Sequence, residues 1–372
     1  MSAKPRVLFV GRTRYAFPLD EAQRRKWDAL GEVLELRILA SGRSDDARFD
    51  LLPSVGTNLA DAPIFYGTLT LRVARALRTF KPDVVICQSP YETALVLAAR
   101  KLARSRAAIV AEIHGDWRTL TRLYGSSARR LVARPADAVA RWAIGHADAT
   151  RSLSGFTSSL VRELGGEPDA VFPTWTDLGV FAEAEPEPLP AEPRAVFIGA
   201  LQPYKNVEGV AAVWRLVVQE VPHAMLHVIG DGPQRGVVEA LLRDHSTNVE
   251  WSPALPARDV AAALDRAQFL FLPSRREGLG RVVIESLARG RPVVASRQGG
   301  IPDLVRDGEN GELYDPEDHS GIAAGIVALF RDEAHLARLA AAARPSVESW
   351  LWTPEEYARR VRELVDLAAA RV

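Results

Sequence analysis

Short apolar runs that end in glycine, proline or serine and open onto helical patterns recur along this chain, and that rhythm constrains its fold more than any other feature. Arg6-Val7-Leu8-Phe9-Val10-Gly11 is followed by a helical pattern near 20–30. Further strand candidates in the first half lie at 33–39, 83–87, 108–113, 149–153 and 170–172. Strands this apolar are covered on both faces, and strand–helix alternation builds a parallel sheet. The rhythm stops at 182–193, where four prolines and four glutamates leave almost nothing to form a core. Such composition predicts an extended linker at a domain junction. Beyond it the alternation restarts with Ala195-Val196-Phe197-Ile198-Gly199 and continues through 225–230, 248–251, 269–272 and 292–295. The expected organisation is a first α/β domain at 1–181, the linker, a second at 194–350, and a closing helix within 351–372. That helix carries a capping box, with Thr353 as cap, Pro354 first and Glu356 third. Its stripe of Tyr357, Val361, Leu364 and Val365 could seal either domain.

A chain of 372 residues can hold two substantial cores, and its 47% hydrophobic and 25% charged residues mark an ordinary globular protein. A formal net charge of +0 argues against a nucleic-acid partner. Cys87 is the only cysteine and lies in Val84-Val85-Ile86-Cys87, so it reads as a core thiol and forms no internal disulfide. The first residues lack a signal-peptide pattern, and no stretch is long enough to span a bilayer, so a cytoplasmic location is expected.

The most informative stretch is Arg276-Glu277-Gly278-Leu279-Gly280-Arg281-Val282-Val283-Ile284-Glu285, after the apolar run Phe269-Leu270-Phe271-Leu272 and the turn Pro273-Ser274. From Arg281 to Arg289 the pattern is helical and apolar nearly all round, which places Glu285 in a buried helix where a carboxylate needs a partner. The amides of Gly278 through Val282, with the helix dipole, form an anion site. Gly278 and Gly280 let a diphosphate or sugar hydroxyl approach the backbone. Glu285 could grip a vicinal diol with both oxygens, and Glu277 could do the same for a sugar. Taken alone, the pair fits equally a solvated loop residue and an arginine-paired helical carboxylate.

Lys205 stands out because the chain has only five lysines, and none other follows Lys101. It lies on the loop Gly199-Ala200-Leu201-Gln202-Pro203-Tyr204-Lys205-Asn206, where an ammonium could balance a diphosphate or simply be solvated. Gly230-Asp231-Gly232-Pro233 and Gly299-Gly300-Ile301-Pro302-Asp303 are further glycine turns between strand and helix, each explicable as a tight turn. His114, in His114-Gly115-Asp116-Trp117, ends a strand and is placed at an interdomain mouth.

Together these segments resemble the retaining nucleotide-sugar glycosyltransferases of family four, whose GT-B fold sets two Rossmann-like doubly wound domains facing a cleft. The likeness runs from about 195 to 329. It rests on Val196-Phe197-Ile198-Gly199 with Lys205, on Gly230-Asp231-Gly232-Pro233, on Pro273-Ser274 through Glu285, on Gly290-Arg291-Pro292-Val293-Val294-Ala295 and on the block from Gly299 to Val305. The first half is less similar, through its opening strand, His114-Gly115 and 154–177. The resemblance implies that the second domain binds a nucleoside-diphosphate sugar as co-substrate, with no other cofactor. Glu285 then matches the ribose ligand, Glu277 the contact to the donor sugar, Lys205 the diphosphate lysine and His114 a histidine near the anomeric carbon. Gly199, Gly230, Gly278, Leu279, Gly280 and Arg281 complete the expected donor site.

Two departures accompany it. Ala200 stands where the family usually carries a second diphosphate cation, and Arg281 is the candidate replacement, with Arg275 and Arg276 as rivals. Gly11-Arg12-Thr13-Arg14-Tyr15 lacks the paired glycines common in the family's acceptor-side loop. The implied reaction is transfer to an acceptor hydroxyl with retention, without a carboxylate nucleophile and without a metal. No Asp-x-Asp motif or histidine cluster suggests a metal site. The resemblance implies a glycan or lipid-linked acceptor. The stretch 118–151, with seven arginines and two aspartates among apolar residues, suits either an anionic membrane surface or a solvated helical face. Peripheral contact at the inner face of the plasma membrane is the corresponding expectation. A nucleotide-sugar epimerase and a non-catalytic sugar-nucleotide-binding protein are the alternatives.

Overall fold

The computed structural model describes residues 3–53, 58–118, 133–245 and 248–372. By its contacts the chain forms two units, Met1–Thr176 with Trp352–Val372, and Asp177–Leu351. Among the described residues each unit is built on one sheet whose neighbouring strands are all parallel.

In the first unit the strands are β1 (Arg6–Tyr15), β2 (Glu35–Gly42), β3 (Phe49–Leu52), β4 (Val84–Cys87), β5 (Ala108–Ile113), β6 (Ala149–Ser152) and β7 (Ala170–Val171). Their order is β3-β2-β1-β4-β5-β6-β7, so the chain reverses its direction of travel across the sheet between β1 and β4. Successive residues point to opposite faces. Val7, Phe9, Val84 and Ile86 join one apolar layer, and Leu8, Val10, Val85 and Cys87 join the other. Cys87 is therefore a core thiol, and burial pushes its pKa well up. The first layer is closed by the helices Glu21–Val33 and Pro354–Ala369. The capping box of Thr353 and Glu356 forms, and Tyr357, Val361, Leu364 and Val365 are all buried. The terminal helix thus belongs to the first unit. Full burial of each such side chain contributes about 1.5–3 kcal/mol.

The second unit contains β8 (Arg194–Ile198), β9 (Met225–Ile229), β10 (Val249–Ser252), β11 (Phe269–Leu272), β12 (Val293–Ser296) and β13 (Gly311–Tyr314). Their order, β10-β9-β8-β11-β12-β13, sets the reversal between β8 and β11. The crevice outside the carboxyl ends of two such strands is where open α/β sheets bind ligands.

The Pro/Glu-rich stretch differs from its sequence reading. It lies inside the second unit, and the division between units falls earlier, after Thr176. Its extended backbone carbonyls are taken by side chains of the domain: Arg291 donates to Glu187 O at 2.7 Å and Pro188 O at 3.2 Å, and Gln268 donates to Pro190 O at 2.8 Å. Arg344 similarly donates to Ala182 O. Low apolar content predicted an extended linker at the domain junction; long-range polar contacts bind the segment to the second unit instead. No helix among the described residues is long and apolar enough to cross a membrane.

Candidate functional site

The loops at the carboxyl ends of β9, β8, β11 and β12 form the site of the second unit, and glycines set how closely they pack. A Cβ on Gly230, whose φ is +147, would lie 1.9 Å from Gly199 O, and one on Gly232 would lie 2.6 Å from Leu201 O. On the other side, a Cβ on Gly299 would lie 1.9 Å from Glu277 O, and one on Gly300 2.3 Å from Gly278 O. These collisions are with backbone, which cannot swing aside as a side chain can. The glycines bring four loops into backbone contact, and Gly300 N donates to Glu277 O at 3.1 Å.

Lys205 is held by the local fold. The turn Pro203–Lys205 ends at Asn206, which is fully buried with a left-handed φ of 57 and caps the helix Val207–Glu220 through Gly209 N at 3.1 Å. Asn206 Nδ2 also donates to Pro316 O at 2.9 Å. The ammonium of Lys205 donates to Glu277 Oε1 and lies 5.6 Å from the centre of the Tyr204 ring. Ser274 Oγ donates to the same carboxylate oxygen at 3.1 Å. The side chains of Lys205 and Glu277 are only 11% and 10% exposed, so neither is the solvated loop residue that its position allowed. They meet across the strand reversal, 72 residues apart in sequence.

The helix Arg281–Ala288 begins at Gly280, whose φ is 86 and which has no capping side chain. Val283 N donates to Gly280 O at 2.8 Å, and no cap side chain takes the amides before it. One turn in, Glu285 is 9% exposed and accepts from Arg281 Nε at 2.6 Å. Burial raises its pKa, and the Arg281 charge only partly offsets this. The arginine-paired alternative is thus the arrangement found. Arg281 itself is 57% exposed. Of its rivals, Arg275 is engaged by Glu317 at 2.6 Å. Ala200 places no charge at the end of β8.

His114 belongs to the first unit, beyond β5. Its Nε2 is 2.9 Å from Glu112 Oε2, and Glu112 is bound in turn by Arg151. Arg151 is 0% exposed, lies 4.3 Å from the centre of the Phe172 ring, and donates to Phe172 O at 3.2 Å and Thr174 Oγ1 at 2.9 Å. Burial alone would raise the pKa of Glu112, but Arg151 and His114 outweigh it and bring it down to about 2.

The expected donor-site residues Gly199, Lys205, Gly230, Glu277, Gly278, Leu279, Gly280, Arg281 and Glu285 all fall at the carboxyl ends of the β8, β9 and β11 strands or on the helix after β11. Ser274 and Asn206 were missed as contributors, although serine after a strand and asparagine before a helix are polar anchors readable in principle. Glu112 and Arg151 gave no signal of their pairing. The proposed membrane stretch lies partly outside the described residues, at 119–132. Of its arginines, Arg151 is a core residue and cannot meet a membrane surface. The helix Ala133–His146 does leave Val139 and Trp142 exposed. Among the described residues, no cluster of three or more His, Cys, Asp or Glu is arranged to hold a metal.

Comparison with known proteins agrees with this architecture. The family described as Glycosyl transferases group 1 matches residues 182–345, and the Glycosyl transferase 4-like domain matches 16–175. Glycogen synthase of Mycobacterium tuberculosis is 29% identical over 59% of this chain and 54% of that protein. Sulfoquinovosyl transferase of Arabidopsis thaliana is 29% identical over 44% of this chain and 31% of that protein. The matched region thus spans about a third to a half of these curated relatives. Among solved structures, sucrose-phosphate synthase from Thermosynechococcus elongatus has a TM-score of 0.77 at 18% identity, covering 99% of this chain and 100% of that one. HepE of Anabaena, solved with UDP-glucose, has a TM-score of 0.68 at 15% identity, covering 97% of this chain and 99% of that one. Two Rossmann-like parallel-sheet units, matched one by each family description, make this chain a member of the group 1 glycosyltransferases with the GT-B fold.

Proposed function

We propose that this protein is a retaining glycosyltransferase that moves a sugar from a nucleoside-diphosphate sugar to an acceptor hydroxyl, in the making of a polysaccharide, glycolipid or other glycoconjugate. The observation that carries this reading is the Lys205–Glu277 pair, nearly buried at the strand reversal beside the uncapped start of the helix that holds Glu285. A lysine and two glutamates at one glycine-walled crevice serve a ligand with one strongly anionic part and several hydroxyls.

In this scheme the diphosphate lies over the amides of Gly278 to Val282, with Lys205 balancing it. Glu285 takes the ribose diol, and Glu277 the hydroxyls of the donor sugar. As the bond from the anomeric carbon to the diphosphate oxygen breaks, its electron pair goes to the diphosphate. The acceptor oxygen bonds to the anomeric carbon on the same face, and its proton passes to the departing phosphate. The protein's contribution is positioning and charge stabilisation. No step asks for a metal. His114 is held by Glu112 within the first unit. The acceptor is a glycan or a lipid-linked acceptor.

A thermal-shift screen against nucleoside diphosphates and their sugar conjugates tests the reading. A ligand that binds only the folded state stabilises it, by about 2.7 kcal/mol at a hundred times its dissociation constant. One base should raise the melting temperature selectively, and its conjugate should then yield a product with the anomeric configuration of the donor. No shift with any conjugate would contradict the proposal.

A further inference from the structure

We propose that Arg281 is a second cation of the diphosphate site and is shared with Glu285, so that phosphate and ribose binding are coupled through one guanidinium. This rests on the donor reading above. The charges of the crevice cancel in two pairs, Lys205 with Glu277 and Arg281 with Glu285. A diphosphate entering this crevice needs positive charge that the pairs already consume. Lys205 has little freedom: its ammonium is nearly buried, bound to Glu277, and its Cε packs 3.3 Å from the Cβ position of Gly199. Arg281 differs, because it is the first residue of the helix and more than half exposed.

Its contact to Glu285 is made through Nε–H, whereas a guanidinium carries five donors in a fork suited to phosphate. Arg281 occupies Glu285 Oε1, one of the oxygens a ribose diol would use. With a diphosphate present the guanidinium turns to the phosphates, and Glu285 is released to two hydroxyls. A nucleoside without phosphates supplies no such incentive and meets an occupied carboxylate. The phosphates thus open the ribose subsite.

The test is calorimetric titration of uridine with UDP, guanosine with GDP and adenosine with ADP into wild-type protein and into Arg281→Ala and Arg281→Gln. Loss of a charge-assisted contact should weaken diphosphate binding about tenfold or more. Nucleoside binding should hold or tighten in the same variants, so the ratio of the two affinities collapses. An unchanged ratio in both variants, including a parallel loss of both ligands, overturns the coupling while leaving the donor reading in place. Wild-type protein that binds none of the pairs overturns both. The ligand-free melting temperature of each variant separates these outcomes from loss of fold.

Discussion

The two units share a sheet topology but use buried charge in opposite ways. In the first, Arg151 is fully enclosed, stacked on Phe172 and committed to Glu112, Thr174 and a backbone carbonyl. In the second, Lys205, Glu277 and Glu285 are covered but not sealed, and Arg281 is mostly open to solvent. The glycines differ in the same sense. A Cβ on Gly11, within β1, would meet the side chain of Gln88, whereas those on Gly230 and Gly299, in loops after β9 and β12, would meet backbone oxygens. A charge pair enclosed on every side is a strut; one set among rigid, glycine-backed loops at strand ends can exchange its partner for a ligand.

Replacing Arg151 with methionine should break the comparison most visibly, because it leaves the buried Glu112 carboxylate with His114 in place of its enclosed guanidinium partner. Unfolding free energy from denaturant titration should fall by about 3–5 kcal/mol. Arg281→Ala, which removes a solvent-exposed partner from the buried Glu285, should cost less than that in the same assay. Equal costs would erase the distinction between strut and receptacle. Lys205→Ala should lower the rate of sugar transfer about a hundred- to a thousandfold, measured at saturating donor, the size of effect expected when one fixed donor to developing charge is removed.

Next in size, Gly299→Ala should cost about 1–3 kcal/mol and weaken donor binding, since its Cβ must displace the Glu277 backbone. Gly11→Ala should cost less, because Gln88 can rotate away. Melting curves of the two variants decide this.

The smallest effect is in pH dependence, where the two carboxylates should have opposite signs. The folded-state pKa of Glu112 is depressed from 4.5 to about 2, so its stabilisation is complete above about 4.5 and lost as pH falls toward 2. That of Glu285 is raised above 4.5, so its protonation favours the folded state, and its penalty grows as pH rises through the raised value. Glu112→Gln should flatten the acid limb of the stability profile, and Glu285→Gln should raise stability at neutral pH.

Much of this was legible in the sequence. Central strands such as β5, β8 and β11 are apolar on both faces and announce themselves; β3 (Phe49–Leu52) and β13 (Gly311–Tyr314) lie at sheet edges, are short and mixed in character, and went unread. An arginine partner for Glu285 was one of the sequence alternatives, and the structure identifies it as Arg281, four residues before it. Lys205 and Glu277 meet only because β8 and β11 are neighbours, which no local pattern reveals. Arg151 was read as part of a basic stretch, since nothing local shows that Glu112 and Phe172 enclose it. The Pro/Glu-rich segment misled for the same reason: its composition is that of a tether, but distant Arg291, Gln268 and Arg344 hold its carbonyls.

The most direct test of the central claim, that the charged crevice of the second unit receives a nucleoside diphosphate, is calorimetric titration of the diphosphate selected by thermal shift into wild-type, Lys205→Ala and Glu285→Ala proteins. Saturable binding to the wild type, weakened about tenfold or more by either substitution, is the predicted result. Equal affinity in all three would place the nucleotide elsewhere and contradict the account.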